Sequence, residues 1–279
     1  MYKGVSFGAQ RKTFGEVVFN TSMTGYQEML TDPSYSGQIV VPTYPLMGNY
    51  VIKSDSNESK EVQVAGFVVR QYCDQPSHKD SYTSLPEFLN EQNIPAISEV
   101  DTRSITKKIR TTGVMMGAIS VGIDPNKILS ELKNITEYDE IDHVSKVSTP
   151  SVFKWNESGK GTLEKDQQLK ILVSDFGLKY NILRMLSSRG CDIEVFPSTC
   201  SAEEIIAHNP DGIMLSPGPG DPELLDHAVE TTKALLGRIP IMGICLGNQV
   251  LGRAFGGKTY KLKSVSYTHL RAHETEADL

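Results

Sequence analysis

Cys245 stands between two glycines in Gly243-Ile244-Cys245-Leu246-Gly247, where an apolar run, Ile239–Ile244, gives way to a helical pattern. Strand, glycine-flanked nucleophile and helix make a thiol version of the G-x-S-x-G elbow. A turn that tight brings neighbouring side chains into collision, which accounts for glycine at 243 and 247. The turn lifts the Cys245 sulfur to the edge of a sheet. The next helix aims its unpaired N–H groups there, which favours thiolate over thiol. When such a thiolate attacks a carbonyl, the Leu246 N–H faces the oxyanion that forms. A free cysteine is ordinarily a small buried hydrophobe; the setting between strand and helix is what argues for a nucleophile here.

A second loop, Ser216-Pro217-Gly218-Pro219-Gly220-Asp221-Pro222, also follows a strand pattern directly. Its alternating prolines have no N–H to give, so the donors alternate too. The donors at Gly218 and Gly220 carry no side chain to keep a ligand away. Taken alone, the loop reads equally well as a stiff turn before a helix capped by Asp221. Beside the cysteine elbow, it reads as a second oxyanion donor and a grip on a polar substrate.

Two other signals carry less. Asp175-Phe176-Gly177 spells the metal-binding triplet of protein kinases, but no His-Arg-Asp loop or glycine-rich phosphate loop accompanies it. It reads as a strand-to-helix turn. Arg103, Lys107, Lys108 and Arg110 fall within one helical pattern and read as its solvated face rather than a phosphate patch. The cysteines, Cys73, Cys191, Cys200 and Cys245, form no CxxC pair and show no metal-ligand spacing with histidine. They read as reduced thiols of a cytoplasmic protein, with no metal site.

The elements that must hold these loops fall into two halves. Up to about Gly122 the chain is rich in short β-branched runs (Glu16–Asn20, Gln38–Val41, Val64–Val69), with helices expected at Ser84–Asn90 and, capped by Asp101, at Thr102–Arg110. From Leu169 onward, strands alternate with helices: Leu169–Ser174, Leu178–Ser188, Asp192–Phe196, Ser201–Asn209, Gly212–Ser216, Pro222–Leu236 and Ile239–Ile244. That alternation means βαβ units on a parallel sheet, whose sites form at the carboxyl ends of strands. Both loops lie there. The polar stretch 134–168, with Trp155, Gly159 and Gly161, reads as the connection between the halves. The domain plan is therefore 1–133, a linker 134–168, 169–263 and a tail 264–279.

With 28 basic against 34 acidic residues, the net charge of the 279-residue chain is -6. That disfavours nonspecific binding to nucleic acid or anionic membranes. The apolar runs are strand-sized, well short of the roughly 20 residues that span a bilayer. At 39% hydrophobic and 22% charged, the composition is that of an ordinary globular protein.

The elbow and the Ser216–Pro222 loop together resemble the class I, triad-type glutamine amidotransferases. The run Gly15–Gln38, with Asn20-Thr21-Ser22-Met23-Thr24-Gly25-Tyr26-Gln27 and Leu30-Thr31-Asp32-Pro33-Ser34-Tyr35, narrows this to the small-subunit family of carbamoyl-phosphate synthase. Asp101-Thr102-Arg103, Asp175–Asn181 and Lys258–Lys263 agree with it. The resemblance implies an α/β protein, with an N-terminal mixed β/α domain and a flavodoxin-like parallel-sheet glutaminase domain, here incomplete. It implies that Cys245 attacks the side-chain amide of glutamine, releasing ammonia and leaving a glutamyl thioester for hydrolysis. Glutamine contacts carried over by position are Ser34, Gly218, Gly220, Leu246 and Gln249, with Gly218 and Leu246 as the oxyanion donors. Ser34 would come from the other domain. No cofactor is expected in this chain. ATP and Mg²⁺ belong to a large partner subunit, which turns the ammonia into carbamoyl phosphate for arginine and pyrimidine synthesis.

The chain also departs from the family pattern. Asn248 stands where the family commonly has histidine, keeping hydrogen-bonding capacity without titration. After Lys263 the family continues into the His and Glu of its triad, whereas Ser264–Leu279 reads as foreign sequence. His273 with Glu274 or Glu276 lacks the His-x-Glu arrangement and a scaffold. His78, His143, His208 and His227 precede Cys245, the wrong order for the family's base. Without a general acid–base, the steps lose about 10²–10⁴-fold each. The chain as it stands is expected to be nearly inactive and, with an open sheet edge, prone to aggregate. Two alternatives remain: another class I amidotransferase, which would share the elbow but not Gly15–Gln38, and a non-catalytic pseudo-glutaminase.

Overall fold

In the computed structural model the described residues are 1–50, 52–76, 83–155 and 168–261. They divide into two compact units, one comprising Met1–Tyr138 with Lys261, the other Asp139–Tyr260.

The first unit contains β1 (Val5–Ser6), β2 (Thr13–Asn20), α1 (Tyr26–Thr31), β3 (Gln38–Pro42), β4 (Leu46–Met47), β5 (Gly66–Val68), β6 (Gln71–Tyr72), α2 (Leu85–Glu91), β7 (Ala96–Ser98), α3 (Thr102–Thr112), β8 (Met115–Ile119) and α4 (Pro125–Leu132). Its main sheet has the order β1-β7-β5-β3-β2-β8, with β4 and β6 paired separately. Strands β2, β3, β5 and β7 run parallel, and β1 and β8 close the edges antiparallel. Alternate residues of β3 serve two cores. Val40 packs with Phe67, Leu30, Leu85 and Leu89, while Ile39 and Val41 pack with Val68, Val100 and Ile119. A strand buried on both faces is why this run lacks polar alternation.

Helix α3 starts on the Asp101 cap, whose carboxylate accepts the Ser104 N–H at 3.0 Å, and buries Ile109. Arg103, Lys107, Lys108 and Arg110 are all exposed. The buried Glu16 carboxylate on β2 is held by the Gln38 amide at 2.7 Å and Lys261 Nζ at 3.0 Å. A buried charge needs such partners.

The second unit contains α5 (Val144–Val147), β9 (Phe153–Lys154), β10 (Lys170–Asp175), α6 (Tyr180–Ser188), β11 (Asp192–Pro197), α7 (Ala202–Ala207), β12 (Gly212–Leu215), α8 (Asp226–Leu235), β13 (Ile241–Gly243) and α9 (Leu246–Ala254). The sheet order is β13-β12-β10-β11-β9, parallel except for β9. The chain builds β10 and β11 in one direction, then returns past β10 to lay down β12 and β13. This is a flavodoxin-like order with its switch point between β10 and β12. Helices α7, α8 and α9 bury Ile205, Val229 and Val250 against one face, and Leu183 of α6 packs on the other.

Three expectations change in detail. The stretch 139–155 is an integral part of the second unit rather than only a connection. β9 adds an antiparallel edge to β11, and Thr149 N–H donates to Asp175 at 2.8 Å. Residues 156–167, including Gly159 and Gly161, lie outside the described residues, as do His78 and 262–279. The helix expected over 222–236 is split into a 3-10 turn, Pro222–Leu224, and α8. Leu225 breaks it, leaving helical geometry to bury its side chain in the core. Helix α6 begins at Tyr180 rather than Leu178. Asp175 Oδ1 first closes a turn by accepting the N–H groups of Gly177 and Leu178 at 2.9 and 2.8 Å.

Candidate active site

The carboxyl ends of β10, β12 and β13 carry three loops: the Asp175–Leu178 turn, the Ser216–Pro222 loop and the Cys245 elbow. Cys245 occupies the N-cap position of α9 with φ 51 and ψ -113. A non-glycine residue held at positive φ costs about 1–3 kcal/mol and persists only where its surroundings over-determine it. Here the constraints are visible. Ile244 N–H donates to Leu215 O at 3.0 Å, Gly247 N–H to Ser216 O at 3.1 Å, and Gln249 N–H to Cys245 O at 3.1 Å. A Cβ on Gly247 would overlap the Leu215 carbonyl, and one on Gly243 would lie 2.5 Å from Gly247 O. The flanking glycines therefore let β13, α9 and β12 close up around the nucleophile.

The same tightness joins the elbow to the neighbouring loop. A Cβ on Gly218 would overlap the Phe176 carbonyl and lie 2.9 Å from Leu246 Cδ2. Gly218 is thus wedged between the Asp175–Leu178 turn and the residue after Cys245. Among the described residues, neither the Gly218 N–H nor the Leu246 N–H donates a hydrogen bond. Two backbone donors are left for a ligand beside a thiol at a helix N-terminus, the arrangement that stabilises an oxyanion. Gly220 lies further along the loop, beside the ring of buried His143. Gln249 is half-buried in the first turn of α9, and Asn248 beside it is exposed.

Ser34 is in the first unit, half-buried in the 3-10 turn Pro33–Tyr35. Asp32 caps that turn, accepting the Ser34 N–H at 2.9 Å.

A family model for the carbamoyl-phosphate synthase small chain, CPSase domain, matches residues 1–119, and one for class-I glutamine amidotransferase matches residues 172–276. The carbamoyl phosphate synthase small chain of Nostoc sp. is 46% identical over 272 residues, covering 94% of this chain and 70% of that protein. The small chain of Aquifex aeolicus is 47% identical over 268 residues, covering 94% and 72%. That of Methanopyrus kandleri is 44% identical over 282 residues, covering 99% and 74%. The chain belongs to the carbamoyl-phosphate synthase small-chain family. The match over residues 1–119 sets it apart from class I amidotransferases that share only the elbow. The amidotransferase match begins on β10 and takes in all three loops.

Among the described residues, no group of three or more His, Cys, Asp or Glu is placed to hold a metal, and no helix is long and apolar enough to cross a membrane. Three residues near this small-chain site were not singled out from sequence. Ser216 appeared only as the first residue of its loop. Arg253 donates to Pro222 O at 2.5 Å and Asp226 Oδ1 at 2.8 Å, tying α9 to the loop's far end. His143 drew notice only for its order in the chain. The available signal was Ser216 itself, a hydroxyl ending the apolar run Ile213-Met214-Leu215.

Proposed function

We propose that this chain is the glutamine-hydrolysing subunit of a carbamoyl-phosphate synthase, with Cys245 as its nucleophile. The observation that carries this reading is the strained elbow at Cys245 beside the two undonated N–H groups of Gly218 and Leu246. Glutamine's side-chain carboxamide is placed with its carbonyl carbon at Cys245 and its oxygen at those two donors. Thiolate attack forms the C–S bond and the oxygen takes up negative charge; once the nitrogen has taken up a proton, collapse breaks the C–N bond and releases ammonia. The glutamyl thioester left behind is then hydrolysed to glutamate. The N-cap position favours the thiolate that starts the sequence. Gly220 and Gln249 are assigned to holding the amino-acid end and orienting the amide.

Protonating the leaving nitrogen and activating water both need a general acid–base. His208 is engaged by Glu194 at 2.8 Å, and His227 lies on the exposed side of α8, so neither is given that role. The ammonia is consumed by a large ATP-using partner subunit that makes carbamoyl phosphate, and the pair works in the cytoplasm.

The test uses a glutamine-like chloroketone and peptide mass spectrometry. The expected result is an adduct on Cys245 that excess glutamine prevents and that Cys245→Ser abolishes. An unmodified Cys245, with adducts spread over Cys73, Cys191 and Cys200, would overturn the assignment. Co-purification with a large ATP-dependent synthetase tests the partner separately.

A further inference from the structure

The side chain that links the three loops is Ser216, fully buried at the end of β12. Its N–H completes the sheet ladder to Ser174 O at 3.1 Å, and its carbonyl accepts the Gly247 N–H of the elbow at 3.1 Å. Its hydroxyl accepts the Phe176 N–H at 2.8 Å and donates to Pro217 O at 2.8 Å. One residue thus ties the Asp175–Leu178 turn, the proline–glycine loop and the elbow to a single point. The consequence lies at Gly218, whose Cα is backed so closely by the Phe176 carbonyl that no Cβ would fit. The hydroxyl fixes the amide of Phe176, the carbonyl of Phe176 bears on Gly218, and Gly218 carries one of the two open N–H groups.

We infer that Ser216 is a positioning residue for the oxyanion site, its hydroxyl setting where the Gly218 N–H stands relative to Leu246 and Cys245. This rests on the glutaminase reading above. Ser216→Ala would keep the backbone bonds to Ser174 and Gly247 and delete the hydroxyl's link to the turn together with its bond to Pro217 O. The buried Phe176 N–H would then have to find another acceptor by moving, and Gly218 would lose its backing. Oxyanion donors act only when fixed in advance, so a small displacement matters.

The experiment compares two reagents on Cys245. A glutamine-like chloroketone reacts through a carbonyl addition that builds negative charge on oxygen, whereas iodoacetamide displaces iodide directly and needs no oxyanion donor. Labelling rates at Cys245 are measured by mass spectrometry for the wild-type chain, Ser216→Ala, Ser216→Thr and Leu183→Ala. The last destabilises the same unit through its core and removes no hydrogen bond from the three loops. Ser216→Ala is expected to lose about tenfold or more in its chloroketone-to-iodoacetamide rate ratio, with the iodoacetamide rate little changed. Ser216→Thr, which retains the hydroxyl, and Leu183→Ala are expected to keep the wild-type ratio. An unchanged ratio in Ser216→Ala overturns the inference, as does a collapsed ratio in a folded Ser216→Thr chain. An equal fall in Leu183→Ala would reduce Ser216 to a general contributor to stability and also overturn it. If wild-type Cys245 shows no preference for the chloroketone, the glutaminase reading itself fails, a result distinct from the others.

Discussion

The two ends of the second unit's sheet are built from the same strands and handle polar groups in opposite ways. At the amino end, the buried Glu194 carboxylate on β11 is met by His208 Nδ1 at 2.8 Å, Lys170 Nζ at 3.1 Å and Lys154 Nζ at 3.3 Å. Lys170 also gives its backbone N–H to Asp211 and its ammonium to His208 O. Each of these donors has an acceptor, and the His208 and Phe196 rings meet at right angles. At the carboxyl end, two backbone donors are left open among the described residues, and a cysteine is held at φ 51. One end spends its polar groups on the fold, while the other keeps them in reserve for a ligand. Substitutions at the carboxyl end should therefore alter reactivity, and those at the amino end should alter stability.

The largest effect is expected from Gly247→Ala. The added methyl would overlap the Leu215 carbonyl, forcing α9 away from β12 and Leu246 away from Gly218. Chloroketone labelling of Cys245 should fall by about 10²-fold, the scale of a lost oxyanion donor. The over-packing should also cost about 1–3 kcal/mol of stability. Labelling at the wild-type rate would show that the tight elbow is a packing feature rather than a reactive one.

Next comes Glu194→Ala, the counterpart at the other end. Burial works to raise the Glu194 carboxyl, and the hydrogen bonds from His208, Lys170 and Lys154 outweigh it, holding it below its ordinary value. A carboxyl depressed in the native state contributes stability above its unfolded value, near 4.3, and loses it as pH falls through the native value. Removing Glu194 should cost about 2–3 kcal/mol near neutrality, less than the usual buried pair because the two lysines and His208 can rehydrate. The difference from wild type should shrink as pH falls below the unfolded value and close once it passes the depressed native value. The chain's single tryptophan, Trp155, lies against Tyr180 in this unit, so its fluorescence follows the unfolding. Chloroketone labelling of the folded variant should be unchanged. A matching fall in labelling would erase the contrast between the two ends.

The contrast also shows what could be read from the sequence. The elbow was legible because its constraints are local: a nucleophile, two glycines and a strand-to-helix transition lie within a few residues. Helix α3 was legible for the same reason, with its Asp101 cap beside its periodic apolar positions. The Glu194 cluster was not, because its partners come from three separate elements that only the sheet brings together. The two-residue strand β9 has too little pattern to mark itself, and its pairing with β11 gave structure to a stretch that reads as a connection. Ser216 is an intermediate case. Its residue type was visible at the end of an apolar strand, but its acceptor role depends on a Phe176 amide forty positions away.

Arg253→Leu tests how far along the proline–glycine loop the reactive end extends. The guanidinium joins α9 to Pro222 O and to the exposed Asp226. The ion pair itself contributes little, since exposed pairs are worth about 0–1 kcal/mol. The hydrogen bond to Pro222 fixes the loop's end while Ser216 fixes its beginning. A stability loss of about 1 kcal/mol is expected, with chloroketone labelling reduced about two- to fivefold. A fall as large as that of Gly247→Ala would place the critical restraint at the loop's far end.

Lys154→Gln should produce the smallest change, and the reason separates the cations around Glu194. Lys154 is 58% exposed and bonds an oxygen of Glu194 at 3.3 Å, whereas Lys170 and His208 share the other oxygen at shorter range. Its removal leaves that carboxylate with two charged or polar partners, so no buried charge is stranded. Water can reach the vacated position from the exposed edge at β9. The expected loss is about 0.5 kcal/mol, and most of it should vanish in high salt, because an exposed charge is screened where a buried one is not. Lys170→Gln, with its side chain 27% exposed, should lose more and keep more of that loss in salt. If the two variants respond to salt alike, burial does not grade these contacts, and the amino end is held by general charge balance rather than by specific hydrogen bonds.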